Sequence, residues 1–223
     1  MANPKLSILI ATQGRRNDMF GVLLKNIMKQ TKKHGDKIEV LAYWNNAELK
    51  IGDIRQSLLE EAKGDYVCFV DDDDLVPDYY CDEIIKALGK DYVGFQVELW
   101  MNAEKQKPVY HSLRYRKWGE DSNGHYRNVT HLNPIKRSLA LHVGYERKAH
   151  FGEDSYWARD TLPVVKTENY IDKVMYIYKH NELSSFKNAF VIEKSYKRKE
   201  YKYKNFRYHP DSKKEWSISE NFN

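Results

Sequence analysis

Three features of the sequence predict an α/β fold built around a parallel sheet. Strand-like and helix-like stretches alternate from the first residues to the acidic run Asp71-Asp72-Asp73-Asp74. The strand-like stretches are continuous apolar runs, which suits strands covered on both faces. The third of them, residues 66–70, passes directly into the four aspartates. That places the carboxylates at a strand's carboxyl end, where open α/β sheets bind their ligands.

The elements follow in order. Residues 5–12 are apolar and β-branched and end at Gln13-Gly14-Arg15-Arg16. Asn17 or Asp18 is placed to cap a helix whose apolar positions Met19, Val22, Leu23, Ile27 and Met28 recur at helical spacing. Gly35-Asp36 breaks that helix, and residues 38–44 form a second strand ending at Asn45-Asn46. Residues 51–62 carry Ile54, Leu58 and Leu59 on one helical face, and Gly64 ends the helix before the acidic strand. The order β-α-β-α-β makes a right-handed, Rossmann-like parallel sheet the economical topology.

Beyond Pro77, the spacing of Tyr80, Ile84, Ile85 and Leu88 predicts a helix closed by Gly89. Residues 92–100, 109–118 and 124–131 read as strands, with Asn123-Gly124 as a hairpin signal. Asn133-Pro134 leads into a short helix over residues 135–142; Phe151-Gly152-Glu153-Asp154 precedes another over 155–162. Residues 174–178 are a last strand, ending at Lys179-His180-Asn181. From residue 193 to 214 the composition shifts to Lys, Arg and Tyr.

Length and composition bound the function. A chain of 223 residues can bury a sizeable core as one domain with a small appendage. With 41% hydrophobic and 31% charged residues it reads as a soluble protein, with no apolar run near the roughly 20 residues of a membrane span. The N-terminal residues show no apolar signal region. Cys68 and Cys81 read as buried, reduced thiols, and the expected location is the cytoplasm. The net charge of +5 is mild, and 17 tyrosines suggest stacking surfaces for sugars or bases.

Four adjacent carboxylates repel one another unless they are solvated or neutralised. Either the run is a solvated acidic turn, or it holds a hard cation such as Mg²⁺ or Mn²⁺, with a nucleoside diphosphate completing the cation's shell. In the second case Asp71 and Asp73, alternating at the strand end, aim toward the metal, and His180 could add an imidazole. Arg55 could meet the donor's base or phosphate, or form an ion pair. Trp100 and Trp118 could stack on an acceptor or sit in the core. Lys136 and Arg137 could meet a phosphate-bearing acceptor. The interleaved cations and aromatics of residues 194–208 suit a phosphate backbone, an anionic membrane surface, or an arm packed on the catalytic domain.

Taken together, residues 5–186 resemble the GT-A nucleotide-sugar glycosyltransferases of the family 2-like group, and the compact chain with its Asn133-Pro134-Ile135-Lys136-Arg137 segment is similar to the group's short viral or phage members. The matches fall in the family's order. Ala11-Thr12-Gln13-Gly14-Arg15 is similar to the family's first strand end. Gly52-Asp53-Ile54-Arg55-Gln56 through Gly64-Asp65-Tyr66 resembles its approach to the DXD strand. Val70 to Asp74 with Pro77 resembles the DXD motif itself. Gly152-Glu153-Asp154 with Arg159 resembles the ED motif, and Tyr176-Ile177-Tyr178-Lys179-His180 before Ser184-Ser185 is a looser match.

The resemblance implies a GT-A Rossmann-like fold with a mixed, mainly parallel central sheet and flanking helices. Residues 1–190 would form the catalytic domain, its donor half about 1–100 and its acceptor half about 101–190, with 191–223 as a basic, Tyr-rich extension. It implies metal-dependent transfer, using Mn²⁺ or Mg²⁺, of a sugar from a nucleoside-diphosphate donor, UDP first, to an acceptor hydroxyl with inversion. Asp154 would be the base and Glu153 its support. The donor site would use Thr12, Gln13, Arg15, Asn45, Arg55, Asp71 and Asp72; the metal, Asp71, Asp73 and His180; the acceptor, Trp100, Trp118, Lys136 and Arg137. One acceptor it allows is a hydroxymethylated base in DNA. Others are a cell-surface or lipid-linked glycan, and the rival class is a nucleic-acid-binding protein on the same scaffold. Two departures stand out: Asn45-Asn46 replaces the family's acid, although an amide can still pair with uracil, and Gln56 replaces its Asn.

Overall fold

The computed structural model describes residues 3–45, 49–146, 152–180 and 197–212. In chain order its strands are β1 Leu6–Thr12, β2 Ile38–Trp44, β3 Tyr66–Phe69, β4 Tyr92–Met101, β5 Glu104–Lys105, β6 Val109–His111, β7 Gly119–Glu120, β8 His125–Arg127, β9 Ile135–Lys136, β10 Glu168–His180 and β11 Phe206–Tyr208. Its helices are α1 Asn17–Thr31, α2 Ile51–Glu61, α3 Tyr80–Ala87, α4 Arg137–Val143 and α5 Glu153–Thr161.

β1 is central and pairs in parallel with β2 on one side and β3 on the other. Its side chains alternate between two buried faces. Leu6, Ile8 and Ile10 pack with Phe20, Leu23, Leu24 and Ile27 of α1 and with Tyr80 and Ile84 of α3. Leu9 on the opposite face joins Ile54, Leu58 and Leu59 of α2, Ala140 of α4 and Trp157 of α5. Helices therefore cover both faces, as the unbroken apolar runs require. Beyond β3 the sheet becomes mixed. Short β9 joins β3 to the start of β4, both antiparallel. β4 is flanked by β10 in parallel and by β6 antiparallel, and β8 and β7 extend the β6 side. At the far edge β11 adds in parallel to β2.

Several expectations are corrected. Asn17 does not cap α1 through its side chain; its Oδ1 accepts the Trp44 indole N–H at 3.1 Å instead. The buried stripe of α1 is Phe20, Leu23, Leu24, Ile27 and Met28, which rotates Met19 and Val22 out to solvent. The strands expected over 109–118 and 124–131 are only three residues each, 109–111 and 125–127. A turn closed by Tyr115 N–H on Ser112 O (3.1 Å) ends the first. Beyond the second, Asn128 spends its amide on Trp118 and Arg116. The Asn123-Gly124 turn does join a hairpin, between β7 and β8. Ile135 and Lys136 are drawn into the sheet opposite Val67 and Tyr66, so α4 starts two residues late. The last strand is 13 residues, not five, because it runs along β4 with polar residues on its open face. Among the described residues no helix is long and apolar enough to cross a membrane.

Candidate active site

The aspartates follow β3 in a turn closed by Asp74 N–H on Asp71 O at 3.1 Å, and they divide into two pairs. Asp72 and Asp74 turn inward and are 1% and 2% exposed. Asp71 and Asp73 turn outward, with side chains 27% and 30% exposed. Asp74 is tied down by the Tyr176 hydroxyl at 2.8 Å and by the Lys179 backbone N–H at 2.9 Å, both from β10. Tyr176 also accepts the Asp71 backbone N–H at 3.0 Å, so one phenol holds both ends of the run. Arg16 spans the other two carboxylates: Nη1 donates to Asp72 Oδ1 at 2.7 Å and Nη2 lies 2.9 Å from Asp73 Oδ2.

Burial governs the inner pair's protonation. It pushes Asp72 up to about 6 against the pull of Arg16, and it raises Asp74 well above the usual carboxylate range with help from the charge of Asp71. Asp73 is also raised, chiefly by burial, with Arg16 opposing. Asp71 goes the other way. Burial would raise it, but the Arg55 guanidinium, assisted by His131, holds it well below the usual range.

Arg55 is the hinge of the site. It is 5% exposed, with its guanidinium 4.9 Å from the Phe69 ring centroid. Nη2 donates to Asp71 Oδ1 and Nε to Glu153 Oε1, each at 3.0 Å. One buried cation thus joins the end of β3 to the first residue of α5. Gly152 enters that helix at φ +74°, a left-handed turn that glycine adopts without strain, and Glu153 is directed inward. Asp154 follows it, with Oδ1 accepting the Ser155 backbone N–H at 2.8 Å.

A cavity of about 510 Å³ opens beside these groups, with Arg55, Asp71, His131, Asp154, Tyr178 and His180 in its wall. Trp118 lines it as well. The structure therefore brings the expected base, the leading aspartate, the expected imidazole and one of the two tryptophans to a single cavity. Trp100 stands apart, donating its indole N–H to Glu98 at 2.7 Å. Lys136 and Arg137 are not at this site. Lys136 pairs with Tyr66 in the sheet and its Nζ lies 2.8 Å from Asp91, while Arg137 Nη2 donates to Glu60 O at 3.2 Å. They flank the amino end of β3, about 16 Å from its aspartate end at ~3.3 Å per residue.

Of the remaining donor-site residues, Thr12 is buried at the end of β1, where its side chain acts on the Asp72 carboxylate and favours the anion. Gln13 is half-buried, its carbonyl accepting the Arg16 N–H at 2.9 Å, and Arg15 is exposed. Asn45 ends β2, donating its backbone N–H to Thr12 O at 2.8 Å and its side-chain amide to Leu49 O at 3.4 Å. Asn46, Phe151, Asn181, Ser184 and Ser185 lie outside the described residues. Three contributors were not evident from the sequence: Arg16, His131 and Tyr176 as a clamp. Arg16 had a signal in its place beside Arg15; His131 Nε2, 3.5 Å from Asp71 Oδ2, had none.

The profile of Glycosyl transferase family 2 matches residues 24–151, more than half of the chain, including Arg55 and all four aspartates. The chain belongs to glycosyl transferase family 2. Its fold is shared with solved structures of low sequence identity. The Staphylococcus aureus TarS fragment 1–349 is 15% identical, with a TM-score of 0.55, covering 78% of this chain and 60% of that one. The same fragment in complex with UDP-GlcNAc is 15% identical, covering 80% and 59%, with a TM-score of 0.55. The mannosyltransferase PcManGT from Pyrobaculum calidifontis, in complex with GDP-Man and Mn²⁺, is 16% identical, covering 80% and 57%, with a TM-score of 0.53. This family 2 chain therefore spans about three-fifths of each of those chains. Among curated protein sequences it has no match.

The donor chemistry of the site fits a hard cation in the manner of Mg²⁺ or Mn²⁺. Among the described residues no group of three or more His, Cys, Asp or Glu side chains surrounds one point. Such a cation needs only one or two carboxylates when phosphates and water fill the remaining positions. Asp71, in the cavity wall, and Asp73, outside that wall and paired with Arg16, are the outward carboxylates that would serve. The inner pair is sealed.

Proposed function

We propose that this chain transfers a sugar from a nucleoside diphosphate, UDP first, to an acceptor hydroxyl with inversion, with Asp154 removing the hydroxyl proton. The observation that carries this reading is Arg55, whose two 3.0 Å contacts lock Asp71 and Glu153 to one centre beside the cavity that Asp154 lines. Donor-side and acceptor-side carboxylates are thereby held in one rigid frame, which is what in-line transfer between two bound partners requires.

The residues divide the work. Asp154 lies in the first turn of α5, where the helix N-terminus favours the anion that a base must be. Glu153 does not face the acceptor; held by Arg55, it fixes the start of α5 and so the position of Asp154. Thr12 Oγ1 and Asn45 border the donor end, and an amide at Asn45 suits uracil. Mn²⁺ or Mg²⁺ on Asp73 and Asp71, with His180 at the same cavity, supplies positive charge against the departing diphosphate when bound.

For the acceptor, the interleaved cations and aromatics of residues 194–208 support a hydroxymethylated base in DNA. The packing of that segment's described part gives no added support. Arg198, Lys199, Lys204 and Arg207 are engaged by Glu200, Asp18, Asp36 and Glu61, and Tyr201, Tyr203 and Tyr208 pack against the core.

The test is a thermal-shift panel of UDP-, GDP-, CDP- and dTDP-sugars, each with Mn²⁺ or with EDTA. A donor at 100 times its dissociation constant adds about 2.7 kcal/mol, or roughly 5–10 °C for a chain of this size. One nucleotide standing out with metal, followed by its release when hydroxymethylated DNA is added, is the expected result. No shift with any donor would refute the reading.

A further inference from the structure

The cavity has two sides, set by different elements of the fold. Asp71 and Asp154 mark one. The other is formed where β6 and β8 continue the sheet, and since alternate side chains share a face, His111, His125 and Arg127 all line it, with Trp118. The Arg127 guanidinium lies 4.7 Å from the centre of the Trp118 ring, and its Nη1 donates to Tyr126 O at 3.0 Å and Gly119 O at 3.5 Å. Among the described residues no carboxylate is within ion-pair distance of it. Glu120 is the carboxylate that acts on it, but from further off; its side chain is 70% exposed and pairs with His125 Nδ1 at 2.9 Å.

Arg127 thus differs from the other arginines of the site. Arg16 and Arg55 each have two carboxylates at 3.0 Å or less. Arg127 is half-buried with only carbonyls and an indole face, and burial outweighs Glu120 in lowering its pKa. A partly desolvated guanidinium with its fork unfilled is a site for a bidentate anion. β8 is three strand spacings, about 14 Å, from β10 and His180, so an anion here is separate from a diphosphate at Asp71 and Asp73.

We propose that Arg127, with the face of Trp118 and the imidazole of His125, is a subsite for a phosphate ester carried by the acceptor near its receiving hydroxyl. This rests on the glycosyl-transfer reading above and gives that reading a substrate class. It also transfers to Arg127 the role that Lys136 and Arg137 cannot fill from the amino end of β3.

The test is isothermal titration of the full chain with glycerol 1-phosphate, with glycerate, and separately with UDP plus Mn²⁺. Glycerol 1-phosphate is expected to bind the native protein more tightly than glycerate does. Arg127→Gln should weaken phosphate binding at least tenfold and leave UDP binding within twofold. Arg127→Lys, which keeps the charge and loses the fork, should fall between, and serves if the glutamine variant is unstable. Phosphate binding unchanged in both variants would overturn the proposal. So would phosphate that saturating UDP displaces, since the anion would then belong to the donor site. If UDP fails to bind the native protein while the Arg127-dependent phosphate titration persists, the donor reading fails and the anion subsite stands.

Discussion

Replacing Arg55 by Met removes the one cation that neutralises Asp71 and Glu153 together, while keeping most of the buried volume. The cost can be worked from the structure. Breaking a buried ion pair from one side costs about 3–5 kcal/mol, because the partner charge remains buried and uncompensated. Two carboxylates are stranded here, but Asp71 keeps 27% of its side-chain exposure and can recover some solvation, which favours the lower part of that range. Loss of the guanidinium from the face of Phe69 adds about 1 kcal/mol. The expected total is about 4 kcal/mol, a fall in Tm of roughly 8–16 °C. Urea unfolding at pH 7.5 measures it. The loss should shrink in acid. With Arg55 present, Asp71 stays ionised in the folded state well below its ordinary value, so its stabilising contribution is present above about pH 4 and is lost as the pH falls through the folded value. Without Arg55, burial raises Asp71, and protonation relieves the variant first. Adding Glu153→Met to Arg55→Met should cost less than the sum of the single changes by more than 1 kcal/mol. Additivity within about 0.5 kcal/mol, or a pH-independent loss below about 1 kcal/mol, would refute the view that Arg55 clamps the site.

Asp154→Asn should lower nucleoside diphosphate release by about 10²–10⁴-fold while donor affinity, measured by titration calorimetry, stays within twofold. His111 is held neutral, its pKa lowered to about 4 chiefly by burial, so the folded chain binds fewer protons than the unfolded one between about 6.5 and 4. It contributes stability above pH 6.5, up to about 3 kcal/mol, that is lost as the pH falls to 4; His111→Gln should flatten that part of the pH–stability curve. Phe206→Ala should cost about 3–5 kcal/mol in urea unfolding, since the ring is 8% exposed among Phe20, Tyr201 and Tyr208, and donor affinity should be unaffected.

How far the fold could be read depended on element length. The strands over 6–12 and 38–44 and the helix between them announce themselves because each buries a full face, and burial writes an apolar run or a helical stripe. β5 to β9 are two or three residues each, too short for any period to register. β11 lies in a stretch of Lys and Tyr, and what makes it a strand is β2, more than 160 residues earlier. The site divides the same way. The sequence reading set Asp71 and Asp73 apart by strand alternation, but the chain has left β3 by Phe69 and the turn over 71–74 is what sorts the exposed pair from the buried one. Nothing local distinguishes Arg15 from Arg16; the phase of the turn entering α1 decides which one reaches the aspartates. Nor does the sequence around Pro134 say which end of β3 Lys136 will face. The antiparallel register sets it opposite Tyr66, away from the cavity.

The distribution of charge is a reason why a diphosphate would reach this strand end more easily with a cation than without one. Two guanidinium groups, Arg16 and Arg55, stand against the four aspartates and Glu153. Burial opposes ionisation of three of the aspartates, raising Asp72 to about 6, Asp74 well above the usual carboxylate range, and Asp73 as well. Asp71 is the exception, because Arg55 keeps it ionised. Asp71 and Asp73, the more exposed pair, are where solvent and a ligand would meet the negative charge of the run. A nucleoside diphosphate arriving without a cation adds its own negative charge at that point, and repulsion at such separations costs on the order of 1 kcal/mol or more per close pair. Binding that is equal in EDTA and in Mn²⁺ would mean that Arg16 swings onto the phosphates and leaves Asp73. Binding lost in EDTA would mean that Arg16 stays on its two carboxylates and that a cation, which Asp71 and Asp73 would hold, supplies the charge that the diphosphate needs.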